Sequence, residues 1–228
     1  MPRRKPKIIK ERPPDPDSPG APWRLFVAVP LPGPVVRLLG DLIADLRQED
    51  WPVRWSSPDT AHITLQFIGE VPAERAELLR LALPPTVAAH PVFNLRTADL
   101  GVFPNLRRPR VLWLGLHGPT HRLVTLQTGV TELLKELEFP LDPKPFHPHI
   151  TLGRVRDTHN TPTRHLPEAI RRRFDEEAAQ GGATVEKAIP VPVDEVILMR
   201  SILSREGARH EPIVHCPLAR PARGSAPG

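Results

Sequence analysis

The tetrapeptide His-Ile-Thr-Leu occurs twice, at 62–65 and at 149–152, an offset of 87 residues. The same offset carries Leu25-Phe-Val-Ala-Val29 onto Leu112-Trp-Leu-Gly-Leu116, and Pro58 onto Pro145. A lone tetrapeptide recurs by chance. One that brings an apolar run and a proline in the same register, without a gap, marks a duplicated unit. The segments between run and tetrapeptide have helical spacing. Val35, Val36, Leu39, Leu42, Ile43 and Leu46 recur every three or four residues in the first copy, and Leu123, Leu126, Val130, Leu133, Leu134 and Leu137 in the second. Pro34 stands near the first helix start and Pro140 beyond the end of the second, where proline is tolerated.

The short aliphatic runs at 24–29 and 111–116, bounded by Pro or Gly, predict strands. Each copy therefore begins strand, helix, strand, with His-Ile-Thr-Leu on the second strand. Patterning further predicts helices over 73–83 and 166–178 and strands over 92–102, 194–203 and 211–216. The expected class is α+β: a bilobal duplicated fold with two small, mostly antiparallel sheets facing across a central groove and helices on the outer faces.

Composition bounds the remaining choices. The chain has 228 residues and one cysteine, Cys216, so neither an intramolecular disulfide framework nor a thiolate metal cluster fits. No apolar run approaches a membrane span of about 20 residues, and Met1-Pro-Arg-Arg-Lys5 lacks a signal-peptide core. The expectation is a cytoplasmic monomer that does not engage a membrane. Prolines (31) outnumber glycines (14) and crowd both ends. Residues 1–21 are expected to be a disordered basic tail, 22–216 a single bilobal domain and 217–228 a second disordered tail. The net charge of +5 lies wholly in those ends: 1–20 carry +3, 217–228 carry +2, and 21–216 are neutral. The tails would attract polyanions in a generic, salt-sensitive way, but bulk charge identifies no substrate.

Side chains of a strand alternate faces. His62 and Thr64 therefore share one face and Ile63 and Leu65 the other, and the same holds for His149 and Thr151 against Ile150 and Leu152. The aliphatic pairs suit a helix-covered core, which leaves two His-Thr pairs aimed into the groove. Imidazole titrates near neutrality, so two of them flanking a phosphorus can serve as base to the attacking water and acid to the leaving oxygen. Threonine hydroxyls can donate to the non-bridging oxygens. This scheme requires no metal and no cofactor, and a 2′,3′-cyclic phosphate suits it because the leaving oxygen stays tethered to the ribose.

These residues resemble the 2H phosphoesterase superfamily, defined by two His-x-Thr motifs. Within it they resemble the RNA 2′,3′-cyclic phosphodiesterase family, also called 2′-5′ RNA ligase. The resemblance rests on Arg24-Leu-Phe26-Val-Ala-Val29, His62-Ile-Thr64-Leu-Gln-Phe-Ile-Gly69 and Pro148-His149-Ile-Thr151-Leu-Gly153-Arg154, and spans about 22–216. It implies a bilobal enzyme that hydrolyses RNA 2′,3′-cyclic phosphate ends, tRNA fragments among them, to 2′-phosphates without metal. It implies His62 and His149 as the acid/base pair and Thr64 and Thr151 as phosphate ligands. We assign His149 as base toward water and His62 as acid toward the 3′ oxygen. Arg154 is expected to neutralise phosphate, and Phe67 stands at its place in the first copy.

Other residues carry two readings each. Phe26 and Trp113 are matching strand aromatics for which core packing is the first expectation, with contact to the nucleotide the alternative for Phe26. Arg107, Arg108 and Arg110 in the 104–110 turn are candidates for the RNA backbone, or a solvated turn. His147 lies two residues before His149 and could face the same groove. A His147/His149 zinc pair is disfavoured, since no Cys, Asp or Glu accompanies the motif strands. The remaining histidines, His210 among them, read as structural or surface groups. No Lys-x-Asp-Gly is present, so nucleotide-activated ligation is disfavoured, whereas ATP-independent 2′-5′ ligation by reversal of hydrolysis is not. The competing readings are a relative acting on 2′-5′ oligoadenylate or small cyclic nucleotides, and a non-catalytic RNA-binding module.

Overall fold

The structure is a computed structural model that describes residues 20–156, 165–179, 188–203 and 208–221. In these residues the chain forms nine strands and four α-helices, in two antiparallel sheets, the α+β class that the element pattern predicts. The duplicated elements appear in register. Strand β1 (Trp23–Pro30), helix α1 (Gly33–Leu46) and strand β3 (His62–Val71) of the first copy match β5 (Val111–His117), α3 (Thr120–Glu136) and β6 (His149–Val155) of the second. The helices begin at residues 33 and 120 and the motif strands at 62 and 149, both pairs separated by the offset of the sequence repeat.

Burial follows the periodicity that predicted the elements. Helix α1 buries Val35, Leu39, Leu42, Ile43 and Leu46, and α3 buries Leu123, Leu126, Val130 and Leu134. Leu25, Val27, Val29, Ile63 and Leu65 join Leu112, Leu114, Ile150 and Leu152 in one contiguous core. Helix α2 (Ala73–Ala88) packs against β1 and the two strands that follow it in the sheet. It runs a turn past the end expected at 83, through Pro84 and Pro85. Proline removes a helical N–H and normally costs about 3 kcal/mol. Here Val87 is fully buried and anchors the extra turn, while Leu81, one of the residues whose carbonyl loses its partner, is exposed to water.

The halves are interwoven rather than side by side. The first sheet runs β3-β1-β8-β9 and the second β2-β6-β5-β4-β7. Strand β4 (Phe93–Phe103) belongs to the first half of the chain but pairs with β5, and β8 (Glu195–Leu203) belongs to the second half but pairs with β1. Each sheet takes its motif pair from one copy and its next strand from the other. The short strand β2 (Val53–Trp55) and strand β7 (Pro190–Val193), neither of them predicted, occupy the two edges of the second sheet. Strand β9 (Ala208–Pro217) is longer than the predicted 211–216. The fold also extends past the boundary expected at 216: Leu218 is buried, and Ala219 bridges to Pro91. Helix α4 (Leu166–Ala179) is tied to α1 by Arg173, which pairs with Asp45.

Strand β2 docks on β6 because Gly153 has no side chain. A Cβ there would stand 2.6 Å from Val53 and 3.0 Å from Trp55. Gly153→Ala is expected to loosen that edge and destabilise the protein by about 1–3 kcal/mol, the usual cost of overpacking, measured as a fall in the urea midpoint.

Candidate active site

The motif histidines are held by the same local device. His62 Nδ1 lies 2.9 Å from the carbonyl of Thr60, and His149 Nδ1 lies 2.6 Å from the carbonyl of His147. A carbonyl can only accept, so Nδ1 carries the proton in both rings. In the neutral form Nε2 is left as the free base. The repeat thus extends to hydrogen bonds: Thr60 and His147 are themselves one offset apart.

Each motif strand then contains a β-bulge. In β6, Trp113 faces Thr151 and Leu112 faces Gly153, so Leu152 is skipped. In β3, Ala28 faces Thr64 and Val27 faces Gln66, so Leu65 is skipped. One skipped residue shifts the alternation by one. Arg154 consequently joins His149 and Thr151 on one face, where strict alternation would have put it on the other. Phe67 joins His62 and Thr64 in the same way and is covered by the Arg24 guanidinium at 4.7 Å. Position 67 in one copy and 154 in the other are therefore equivalent in space as well as in sequence, one aromatic and one cationic.

Packing brings the two faces together. Strands β3 and β6 are in contact although they lie in different sheets. Burial pushes the His62 imidazole down to about 4 from an ordinary 6.5, with positive charge on His210 and His149 adding to the effect. His149 is also lowered, first by burial and then by the charges of Arg154 and His147. Both imidazoles are thus dry and disfavour a proton, and His149 has the permanent charge of Arg154 acting on it.

Phe26 corrects the expectation of core packing. It is buried, but on the histidine face, stacked on His62 with ring centroids 4.7 Å apart and planes at 27°. Trp113 likewise lies on that face, 6.5 Å from the His149 ring and 5.1 Å from Phe103. Gly101 clears its place: a Cβ there would stand 2.1 Å from the indole. Phe103 meets His149 edge to face at 5.0 Å. His147 is exposed, 5.7 Å from Phe103. Arg107 and Arg108 lie in an exposed turn shaped by the Asn105 side chain, which accepts from both of their backbone N–H groups. Arg110 is exposed at the head of β5. No hydrogen bond, ion pair or ring contact joins Arg107 or Arg108 to the motif histidines among the described residues. No group of three or more metal-ligating side chains occurs among those residues either.

His210 is the site residue that the sequence did not reveal. It lies 5.3 Å from His62 and 4.9 Å from Phe26, ring to ring, and its own pKa is lowered by burial. Its Nδ1 is buried without a hydrogen-bond partner. The only available signal was its place next to the predicted final strand, one residue before 211, since it belongs to no motif and has no counterpart in the repeat.

The model of the 2′-5′ RNA ligase superfamily matches residues 34–202 and so takes in both motifs. The chain belongs to this family. A relative from Aeropyrum pernix, named RNA 2′,3′-cyclic phosphodiesterase, is 31% identical over 156 residues, which are 68% of this chain and 81% of that one. The apo structure of Escherichia coli LigT superimposes with a TM-score of 0.64 at 25% identity, covering 87% of this chain and 99% of LigT. LigT complexed with 3′-AMP superimposes with a TM-score of 0.61 at 26% identity, over 86% and 98% of the two chains. Among the described residues no helix of this family member is long and apolar enough to cross a membrane.

The depressed imidazoles carry a stability signature. A His62 that ionises near 4 when folded and near 6.5 when unfolded costs nothing above pH 6.5. As pH falls from 6.5 toward 4 the unfolded chain takes up the proton first, and stability drops. Allowing for residual water access, the loss is on the order of 2–3 kcal/mol for this one group. Urea unfolding of the parent and of His62→Asn between pH 7 and 4 is expected to show a shallower decline in the variant.

Proposed function

We propose that this family member hydrolyses RNA 2′,3′-cyclic phosphate ends to 2′-phosphate ends by two-histidine acid/base catalysis. The observation that carries the reading is the pair of imidazoles, each with Nδ1 anchored to a carbonyl and Nε2 free, on strands that touch across the two sheets. The name of the Aeropyrum relative and the 3′-AMP bound by LigT support the substrate class. The partner is RNA, and no metal or cofactor enters the scheme.

In the proposed step, one neutral Nε2 takes a proton from water as its oxygen attacks phosphorus. The bond from phosphorus to the 3′ oxygen breaks, the other imidazole delivers a proton to that oxygen, and the phosphate stays on the 2′ oxygen. Thr64 and Thr151 donate to the non-bridging oxygens and Arg154 offsets their charge. Both imidazoles are neutral at pH 7 in the free site, so the acid must gain its proton on binding. The phosphate anion favours that, because a negative neighbour raises an imidazole pKa. With a 5′ hydroxyl in place of water the same step would join two RNA ends through a 2′-5′ bond without ATP.

His62→Ala and His149→Ala are each expected to lower kcat by at least about 10²–10⁴-fold while the circular dichroism spectrum is unchanged; a variant that keeps substantial activity would sink the reading. Chelator should leave turnover unchanged. A substrate with sulfur in place of the 3′ oxygen needs no acid. It should rescue His62→Ala and not His149→Ala if His149 is the base, and the reverse if the roles are exchanged.

The pH profile is expected to be bell-shaped, and its position follows from the lowered pKa values. The bell for kcat/KM, which reports the free enzyme, should lie below the ordinary imidazole value of 6.5. The bell for kcat, which reports the complex with bound anion, should lie at higher pH. Coincident bells would show that the bound phosphate does not raise the acid.

A further inference from the structure

Strand β2 comes from the first half of the chain and lies against the second motif strand, where Arg54 is directly opposite Arg154. Residues opposite one another across an antiparallel pair project from the same face. Arg54 therefore shares the face of His149, Thr151 and Arg154. Arg156 follows two residues after Arg154, and its N–H donates to the Pro52 carbonyl at 2.8 Å, which continues the ladder and returns its side chain to that face. All three arginines are exposed, and among the described residues none of them forms an ion pair or a side-chain hydrogen bond.

Like charges directly opposite in a sheet are destabilising, and among the described residues no carboxylate pairs with them. The backbone beneath is nevertheless firmly built. Val53 is buried and Trp55 packs on the core, Gly153 makes room for both, and Ser56 N–H donates to the Leu152 carbonyl at 2.8 Å. A short edge strand is pinned by buried neighbours on either side so that it presents one arginine beside another. The stripe His149, Thr151, Arg154, Arg156 leads away from the imidazole, with Arg54 flanking it. Unpaired guanidiniums on a rigid strand fit phosphate oxygens, which they can contact through two N–H groups at once.

We propose that Arg54 and Arg156 bind backbone phosphodiesters of the RNA strand 5′ to its cyclic end, so that the enzyme prefers an RNA terminus to a mononucleotide. This assignment rests on the proposed reaction and supplies the substrate class of that site. Arg154 lies between the reacting phosphate and this track. The ends of the molecule need not take part, since the three arginines belong to the folded part of the chain.

The experiment measures binding of a fluorescent single-stranded hexaribonucleotide bearing a terminal 2′-phosphate, by anisotropy across a salt series, for the full chain. Each phosphate contact on a single strand contributes about −0.7 to the slope of log K against log salt. Arg54→Gln is expected to make the slope shallower by about 0.7, Arg54→Gln with Arg156→Gln by about 1.4, and Arg54→Lys to retain most of it. In parallel, the ratio of kcat/KM for a cyclic-phosphate-ended hexamer to that for a 2′,3′-cyclic mononucleotide should fall about tenfold in the double variant. Slopes and ratio unchanged in the double variant would overturn the proposal, as would a parent protein that does not bind the hexamer. A parent that binds the hexamer with the expected slope, yet hydrolyses neither substrate, would overturn the reaction while leaving the slopes to judge Arg54 and Arg156.

Discussion

Two hydrogen bonds, from Nδ1 of His62 to the carbonyl of Thr60 and from Nδ1 of His149 to the carbonyl of His147, determine what the rest of the site can do. Each spans two residues, so each is set by the local course of the chain as it enters a motif strand. Neither depends on a carboxylate partner, unlike the arrangement in which an acidic group orients an imidazole and stabilises its charge. A carbonyl fixes the tautomer but offers only a dipole to an imidazolium. Burial therefore dominates, and both rings rest neutral. The proposed chemistry needs one of them charged, and the structure leaves the substrate's phosphate as the group that stabilises that charge. In the proposed reaction, protonation and substrate binding are in this way coupled.

The strand exchange gives that coupling a rigid frame. Were the two copies folded as separate lobes, the distance between the imidazoles would depend on a hinge. Instead β4 and β8 each cross into the other copy's sheet, and β2 reaches across to β6. The chain thus passes repeatedly from one sheet to the other, and both sheets contribute to one contiguous core. The copies are also not identical in register. Pro30 faces His62, whereas Gly115 rather than His117 faces His149, a slip of two residues. The repeat thus supplies the plan, and unequal pairing gives each motif histidine a different cross-strand neighbour.

Much of this was legible in the sequence because it is local or periodic. The repeat offset located β1, α1, β3 and their counterparts, and period-two alternation placed Ile63, Leu65, Ile150 and Leu152 in the core and the histidines opposite. What escaped was non-local. Strand β2 is three residues long and exists because Gly153 lets Val53 and Trp55 settle on β6, a fact about a partner some hundred residues away. Phe26 alternates correctly onto the histidine face, yet an apolar side chain in an apolar strand reads as core until His62 and His210, from other strands of its sheet, are seen against its ring. His210 approaches His62 although β9 stands three strands from β3 in the sheet, a proximity that no local pattern records. The bulges are a third case: His-Ile-Thr-Leu-Gly-Arg read with strict alternation puts Arg154 on the wrong face, and only the pairing register shows Leu152 being skipped.

That skipped residue also explains why the cationic and aromatic versions of one position can coexist in a duplicated protein. The bulges at Leu65 and Leu152 bring Phe67 and Arg154 onto the histidine faces. At 67 the ring lies under the Arg24 guanidinium. At 154 the guanidinium is exposed and has Arg54 beside it. An RNA terminus is itself asymmetric, with a base and sugar on one side of its last phosphorus and a polyanionic chain leading away. A perfectly repeated site would meet that asymmetry with two equal ends and give the strand no preferred direction. In the proposed reading, one substituted position per copy, presented by the same bulge, breaks the tie without disturbing the two hydrogen bonds that hold the imidazoles.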